Sequence, residues 1–241
     1  MIQLLPHLES PVIVLVAGAW HAGWAWGRVA PALAACGWRS EIIELPSTAR
    51  VGMPRRGLHD DALVIRRRMQ EILEHSGVPA VVVAHSYAGA AVSEGLVGID
   101  AVQHIVYVAA FQLDVGESAL GISGGMVPPW CRFDGDVAWV ADPLDVFFAD
   151  VPPRDARWAV EQLQPMSRRA FREALSAAAW RTISSTYVVC EHDRALPVDL
   201  QTFLAARATR IHRLSTGHSP FLARPAELTQ LIVDIAETAY V

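Results

Sequence analysis

Short apolar runs rich in β-branched side chains alternate along this chain with stretches whose apolar positions recur every third or fourth residue. That alternation predicts an α/β protein in which helices cover both faces of a mainly parallel sheet. The apolar runs place strands near 12–17, 40–44, 80–84, 104–109, 185–190 and 209–213, and the helical periodicity places helices near 24–36, 60–75, 88–97, 198–206 and 225–239. In the second helix Leu63, Met69, Ile72 and Leu73 form the apolar set. Arg66, Arg67, Arg68, Glu71 and Glu74 lie between them, so the arginine run reads as a solvated face rather than an anion site. Between about 112 and 180 the alternation stops and proline, tryptophan and short helical pieces take over. Pro128-Pro129-Trp130, Trp139, Phe147-Phe148, Trp158 and Trp180 are more aromatic surface than a solvated loop exposes. They are expected to pack on the body or to wall a pocket, with Trp130 and Phe133 favoured for the pocket.

One strand ends on chemistry. Val81-Val82-Val83-Ala84 runs into His85-Ser86-Tyr87, and the small residues Ala88-Gly89-Ala90-Ala91 then open a helix. Such a corner is a nucleophile elbow: it holds a serine hydroxyl exposed on a tight turn and aims the next backbone N–H at the same spot. Alanine stands at 84 and 88, where the G-x-S-x-G pattern has glycine, and the glycine comes one place later at Gly89. Alone, the string also fits a serine capping a helix after a buried strand. Two later features change that reading. Thr186–Cys190 is a strand pattern followed by Glu191-His192-Asp193, and Ile211–Leu214 leads into Ser215-Thr216-Gly217-His218-Ser219-Pro220. A serine, an acid and a histidine thus follow one another in the order used by serine enzymes of the α/β type.

On these residues the chain resembles the α/β-hydrolase superfamily, and within it the small methylesterase and hydroxynitrile-lyase-like branch. The resemblance covers nearly the whole length, including Val12–His21, Val106–Phe111 and Gly217–Phe221. It implies one domain over 1–241: a mainly parallel six-stranded sheet flanked by helices, with a helical lid inserted after the fourth strand at about 112–180. Relatives commonly read H-G-A-W-H where this chain has Ala17-Gly18-Ala19-Trp20-His21, so any polar support from the first histidine is missing. The resemblance makes Ser86 the nucleophile, His218 the base and Asp193 the acid that orients it, with the backbone N–H groups of Ala19 and Tyr87 as oxyanion donors. Glu191 is the fallback acid, Asp199 reads as a first-turn helix residue and Asp114 as a loop residue. His192 reads as exposed and His85 as a packing residue beneath the elbow, while Trp20, His21, Trp130 and Phe133 are the expected substrate-binding residues.

Composition narrows the chemistry. A chain of 241 residues, 52% hydrophobic with mean hydropathy +0.27, can bury one large core. A net charge of −5 and a pI near 6.0 give no basic footprint for nucleic acid. The chain has no lysine, which excludes Schiff-base chemistry and lysine-activated nucleophiles. Cys36, Cys131 and Cys190 are far apart and odd in number, which predicts free thiols in a reducing, cytoplasmic setting. Met1–His7 lacks a basic n-region, and no apolar run approaches the roughly 18 residues of a membrane span. No metal-binding, phosphate-loop or dinucleotide spacing is present, so neither metal nor cofactor is expected.

The expectation is a cofactor-independent carboxylic ester hydrolase acting on a small, largely apolar substrate, with the insertion selecting substrate and contributing no chemistry. Two alternatives stay open. One is a lyase or cyclase in the same cavity; hydroxynitrile-lyase-like relatives typically carry a lysine after the triad histidine, where this chain has Ser219, which removes the cation for a cyanide leaving group. The other is a small-molecule-binding protein that kept the fold for its pocket, a reading the alanines at 17, 84 and 88 sustain.

Overall fold

The computed structural model describes residues 10–48 and 56–240, so the reading of Met1–His7 lies outside the described residues. In chain order, β1 (Val12–Val16), β2 (Ser40–Ile43), β3 (Ala80–His85) and β4 (Val102–Val108) precede the insertion. The insertion holds β5 (Cys131–Asp134), β6 (Val137–Val140) and β7 (Met166–Ser167), and β8 (Ser185–Cys190) and β9 (Arg210–Leu214) follow it. The helices are α1 (Val29–Ala35), α2 (Leu58–Ser76), α3 (Ala88–Gly95), α4 (Pro143–Phe147), α5 (Pro153–Gln162), α6 (Arg168–Arg172), α7 (Val198–Ala205), α8 (Pro220–Ala223) and α9 (Pro225–Tyr240).

The main sheet has the order β2-β1-β3-β4-β8-β9, and every pairing in it is parallel. Strands β1, β3 and β8 are buried at every position, which is why their sequences are unbroken apolar runs rather than alternating ones. At the edge, β9 is exposed from Arg210 to Arg213 and buried only at Leu214. The strand order reverses direction between β1 and β3. The loops after these strands meet there, the usual place for a site in an open α/β sheet.

Three local expectations need correction. The helix read at 24–36 is a 3-10 turn, Gly23–Trp26, followed by α1; the break at Gly27-Arg28 lets Trp26 and Leu33 both be buried. On α2 the inward face is Leu58, Asp61, Ala62, Ile65, Met69 and Ile72, while Leu63 is 65% exposed. The insertion is not purely helical. β5, β6 and β7 form a separate antiparallel sheet, and Gly135 at φ 55° opens the two-residue turn joining β5 to β6.

Candidate active site

Ser86 sits between β3 and α3 at φ 53°, a conformation that costs a non-glycine residue about 1–3 kcal/mol. Main-chain hydrogen bonds hold it there. Ser86 N–H donates to Val108 O at 3.1 Å, and Ser86 O accepts from Gly89 N–H at 3.1 Å and Phe111 N–H at 3.0 Å. The close approaches fall at two glycines. A Cβ on Gly18 would lie 2.7 Å from both His85 O and Ser86 Cβ, so the turn after β1 can press on the elbow only without a side chain. A Cβ on Gly89 would lie 2.9 Å from Phe111 O. Ala84 and Ala88 are fully buried, and the close approach to Phe111 O falls at the shifted glycine, Gly89.

Asp193 and His218 meet although 25 residues separate them: His218 Nδ1 lies 2.7 Å from Asp193 Oδ2, with both residues buried. A carboxylate can only accept, so Nδ1 carries the proton and Nε2 of the neutral ring is left with its lone pair. The turn after β8 orients Asp193. Asp193 Oδ1 accepts from Ala195 N–H at 2.7 Å and Leu196 N–H at 2.9 Å. Oδ2 accepts a second bond, at 3.0 Å, from Gln201 Nε2 on α7. Gln201 is fully buried and its Oε1 also accepts from Cys190 N–H at 2.9 Å, which ties Asp193 to the end of its own strand. The alternatives fall away by position: Glu191 is exposed, with Arg213 at 3.8 Å, Asp199 lies in the first turn of α7, and Asp114 pairs with Arg181. His192 is exposed as expected.

His85 does more than pack. Its Nε2–H donates to His218 O at 2.9 Å, its ring centroid lies 4.7 Å from that of His218, and burial holds its pKa well below the usual histidine range. His85 therefore also holds the main chain of His218.

Ser86 and His218 open on a cavity of about 520 Å³. Ala19, Tyr87, Trp20, Trp130 and Phe133 are among the residues that line it, and among the described residues Arg194 is the one arginine of the lining. His21 is not among the lining residues. Its Nδ1 turns to Ala19 O at 2.8 Å, Phe147, Phe148 and Phe221 surround the ring, and burial lowers its pKa to about 3. Trp139 and Trp158 are exposed and do not line the cavity, and the Trp158 ring packs edge-on against Trp24 at 5.5 Å.

Two features escaped the sequence reading. Tyr87 O–H donates to Asp61 Oδ2 at 2.7 Å, and Ser47 N–H donates to Oδ1 at 2.9 Å; Asp61 is fully buried, which pushes its pKa up to about 6. The insertion also reaches His218 and its loop. The Phe147 ring stacks on His218 at 5.3 Å, and Asp150 Oδ2 accepts from Gly217 N–H at 2.6 Å, so the insertion touches the His218 loop as well as the cavity. Among the described residues no cluster is arranged to hold a metal ion and no helix is long and apolar enough to cross a membrane.

Comparison with known proteins agrees with this fold. The profile of the alpha/beta hydrolase family matches residues 13–231. An alpha/beta hydrolase of Aspergillus novofumigatus, nvfD, is 29% identical over 95% of this chain and 98% of its own length. A putative chloroplastic methylesterase of Arabidopsis thaliana, methylesterase 11, is 24% identical over 96% of this chain and 65% of its own. Among solved structures, a pyrethroid hydrolase from Sphingobium faniae JZ-2 superposes with a TM-score of 0.78 at 19% identity, covering 94% of this chain and 97% of that one.

Proposed function

The chain belongs to the alpha/beta hydrolase family, among relatives of the small methylesterase-like branch, and from that premise we propose that it cleaves a carboxylic ester of a small, largely apolar substrate through an acyl-enzyme on Ser86, with no cofactor. The observation that carries the reading is the 2.7 Å bond between buried Asp193 and His218, on a cavity that Ser86 shares. His218 Nε2 takes the Ser86 proton as Oγ bonds to the carbonyl carbon, then returns it to the leaving alkoxide, which departs as the alcohol. Asp193 favours the imidazolium formed between these transfers. Water then adds to the acyl-serine by the same route and releases the acid. The backbone N–H groups of Ala19 and Tyr87 hold the oxyanion, each contributing about 3–4 kcal/mol.

The apolar lining suits an apolar acyl or alcohol group, and the insertion over it acts as the lid. Free Cys36, Cys131 and Cys190 support a reducing, cytoplasmic setting. A fluorophosphonate is expected to add mass to the Ser86 peptide, and p-nitrophenyl and methyl esters of graded chain length should be hydrolysed by the wild type and not by Ser86→Ala. Labelling that persists in Ser86→Ala, or turnover of the esters by that variant, overturns the assignment.

A further inference from the structure

We propose that Asp150, carried by the insertion, is a positioning residue for the base. The proposal rests on the reading of His218 as that base. His218 lies in a loop between β9 and α8 that has no regular secondary structure to hold it. Its main chain is pinned on both sides instead. On the near side Asp150 Oδ2 accepts from the buried Gly217 N–H at 2.6 Å, and on the far side His218 O accepts from His85 Nε2–H at 2.9 Å. The two clamps come from different parts of the molecule, β3 and the turn between α4 and α5.

The fit at residue 217 is specific. A Cβ there would stand 2.6 Å from Asp150 Oδ1 and 3.1 Å from Cγ, so only glycine lets the carboxylate approach. The Asp150 turn is in turn anchored by its own neighbours. Phe147 and Phe148 are both nearly fully buried, Val151 N–H closes the turn onto Phe148 O at 3.1 Å, and the Phe147 ring lies on the imidazole. With the loop's main chain fixed at 217 and 218, the ring keeps only its own two torsions, and the Asp193 bond and the Phe147 ring restrict both. Movement of the insertion therefore withdraws one clamp and one stacking surface from the base at once. Reactive geometry is steep: misplacement of a reacting group by about 1 Å costs on the order of a hundredfold in rate.

The test compares Asp150→Ala with Asp150→Asn, each checked for an unchanged thermal midpoint, in hydrolysis of the smallest ester and in the rate of fluorophosphonate labelling. Asp150→Ala is expected to lower kcat and the labelling rate about 10- to 100-fold with KM within about twofold, because position and not substrate contact is lost. Asp150→Asn keeps an acceptor for Gly217 N–H and should recover to within about threefold of wild type. Wild-type kcat in Asp150→Ala, a loss confined to KM, or an asparagine variant as slow as the alanine one overturns the proposal. His218→Ala run alongside separates the two levels: if it retains activity, the reading of the base fails, whereas an inactive His218→Ala beside a fully active Asp150→Ala removes only the clamp.

Discussion

The Ser86 corner and the insertion above it are fastened by different means. At Ser86 the fixing contacts are main chain to main chain, from Val108 O, Gly89 N–H and Phe111 N–H. The insertion meets the body main chain to main chain at Gln164 N–H to Trp20 O and Ser167 N–H to Ser47 O, both 2.9 Å, and is otherwise held through side chains: Trp20 Nε1–H to Ala138 O at 2.9 Å, Arg28 to Asp155 at 2.7 Å, Arg194 to Asp145, and Asp150 to Gly217 N–H. Backbone fastenings tolerate a change of residue as long as the chain can approach, which is how alanine comes to stand at 84 and 88. Side-chain fastenings depend on particular residues, and the exposed ion pairs among them contribute little. The corner should therefore fail through volume, and the insertion through identity.

The largest effect is expected where side-chain identity enters the body itself. Asp193→Asn should lower kcat by roughly 10⁴-fold with little change in KM, because the amide can donate to Nδ1 and so favours the wrong tautomer. Steady-state kinetics checks this, and near-normal turnover there with a loss in Glu191→Gln would move the acid to Glu191. Next comes the volume test. Gly18→Ala adds one methyl at 2.7 Å from His85 O and Ser86 Cβ, and should cost about 1–3 kcal/mol of stability together with part of kcat. Urea unfolding of a Gly18→Ala chain indistinguishable from wild type would mean the turn after β1 is free to retreat.

Tyr87→Phe sharpens the comparison through pH. The folded-state pKa of Asp61 is raised to about 6 from 3.8, so the folded chain holds the extra proton between these values and gains stability as pH falls through that window. Removing the Tyr87 hydroxyl takes a donor from the charged carboxylate, and the cost should be about 1–3 kcal/mol at pH 8. At pH 5, where the acid is protonated in the fold, the cost should shrink. Equal losses at both values would show that packing, and not the Asp61 bond, is what the hydroxyl supplies. Trp130→Ala is the mildest change. It should reorder the preference among acyl chains by about 1–3 kcal/mol while leaving kcat for the smallest ester within about tenfold of wild type. A uniform loss across all chain lengths would make the wall part of the catalytic geometry.

The parts legible in the sequence are those whose signal is local. β1, β3 and β8 declare themselves as unbroken apolar runs, and Ser86, Asp193 and His218 each follow a strand end that a short window reveals. What escaped depends on partners far along the chain. Asp61 looks like one more charge on a polar helix until Tyr87 and Ser47 are seen beside it, and Leu63 looks apolar enough to face inward although the packing turns Ile65 there. Gln201 left a faint signal, an amide on the buried face of α7, but its two roles toward Cys190 and Asp193 exist only once the turn after β8 has folded back. His21 was misplaced because proximity to the oxyanion turn says nothing about which carbonyl its Nδ1 will choose. The β5–β6 hairpin did carry a local mark in Asp134-Gly135-Asp136, hidden by the proline and tryptophan around it.

Trp20 belongs to both halves of the molecule. It stands at φ 63° directly after Ala19, its indole N–H is bound to β6, and its carbonyl accepts from Gln164 N–H at 2.9 Å at the far end of the insertion. An insertion grafted from a relative onto this body would leave both of those bonds unmade unless it presented a carbonyl and an amide at the same two points. The segment after β1 and the segment between β4 and β8 are thus fitted to each other as a matched pair, and new specificities should be more readily reached by single replacements along the cavity wall than by exchanging the whole insertion.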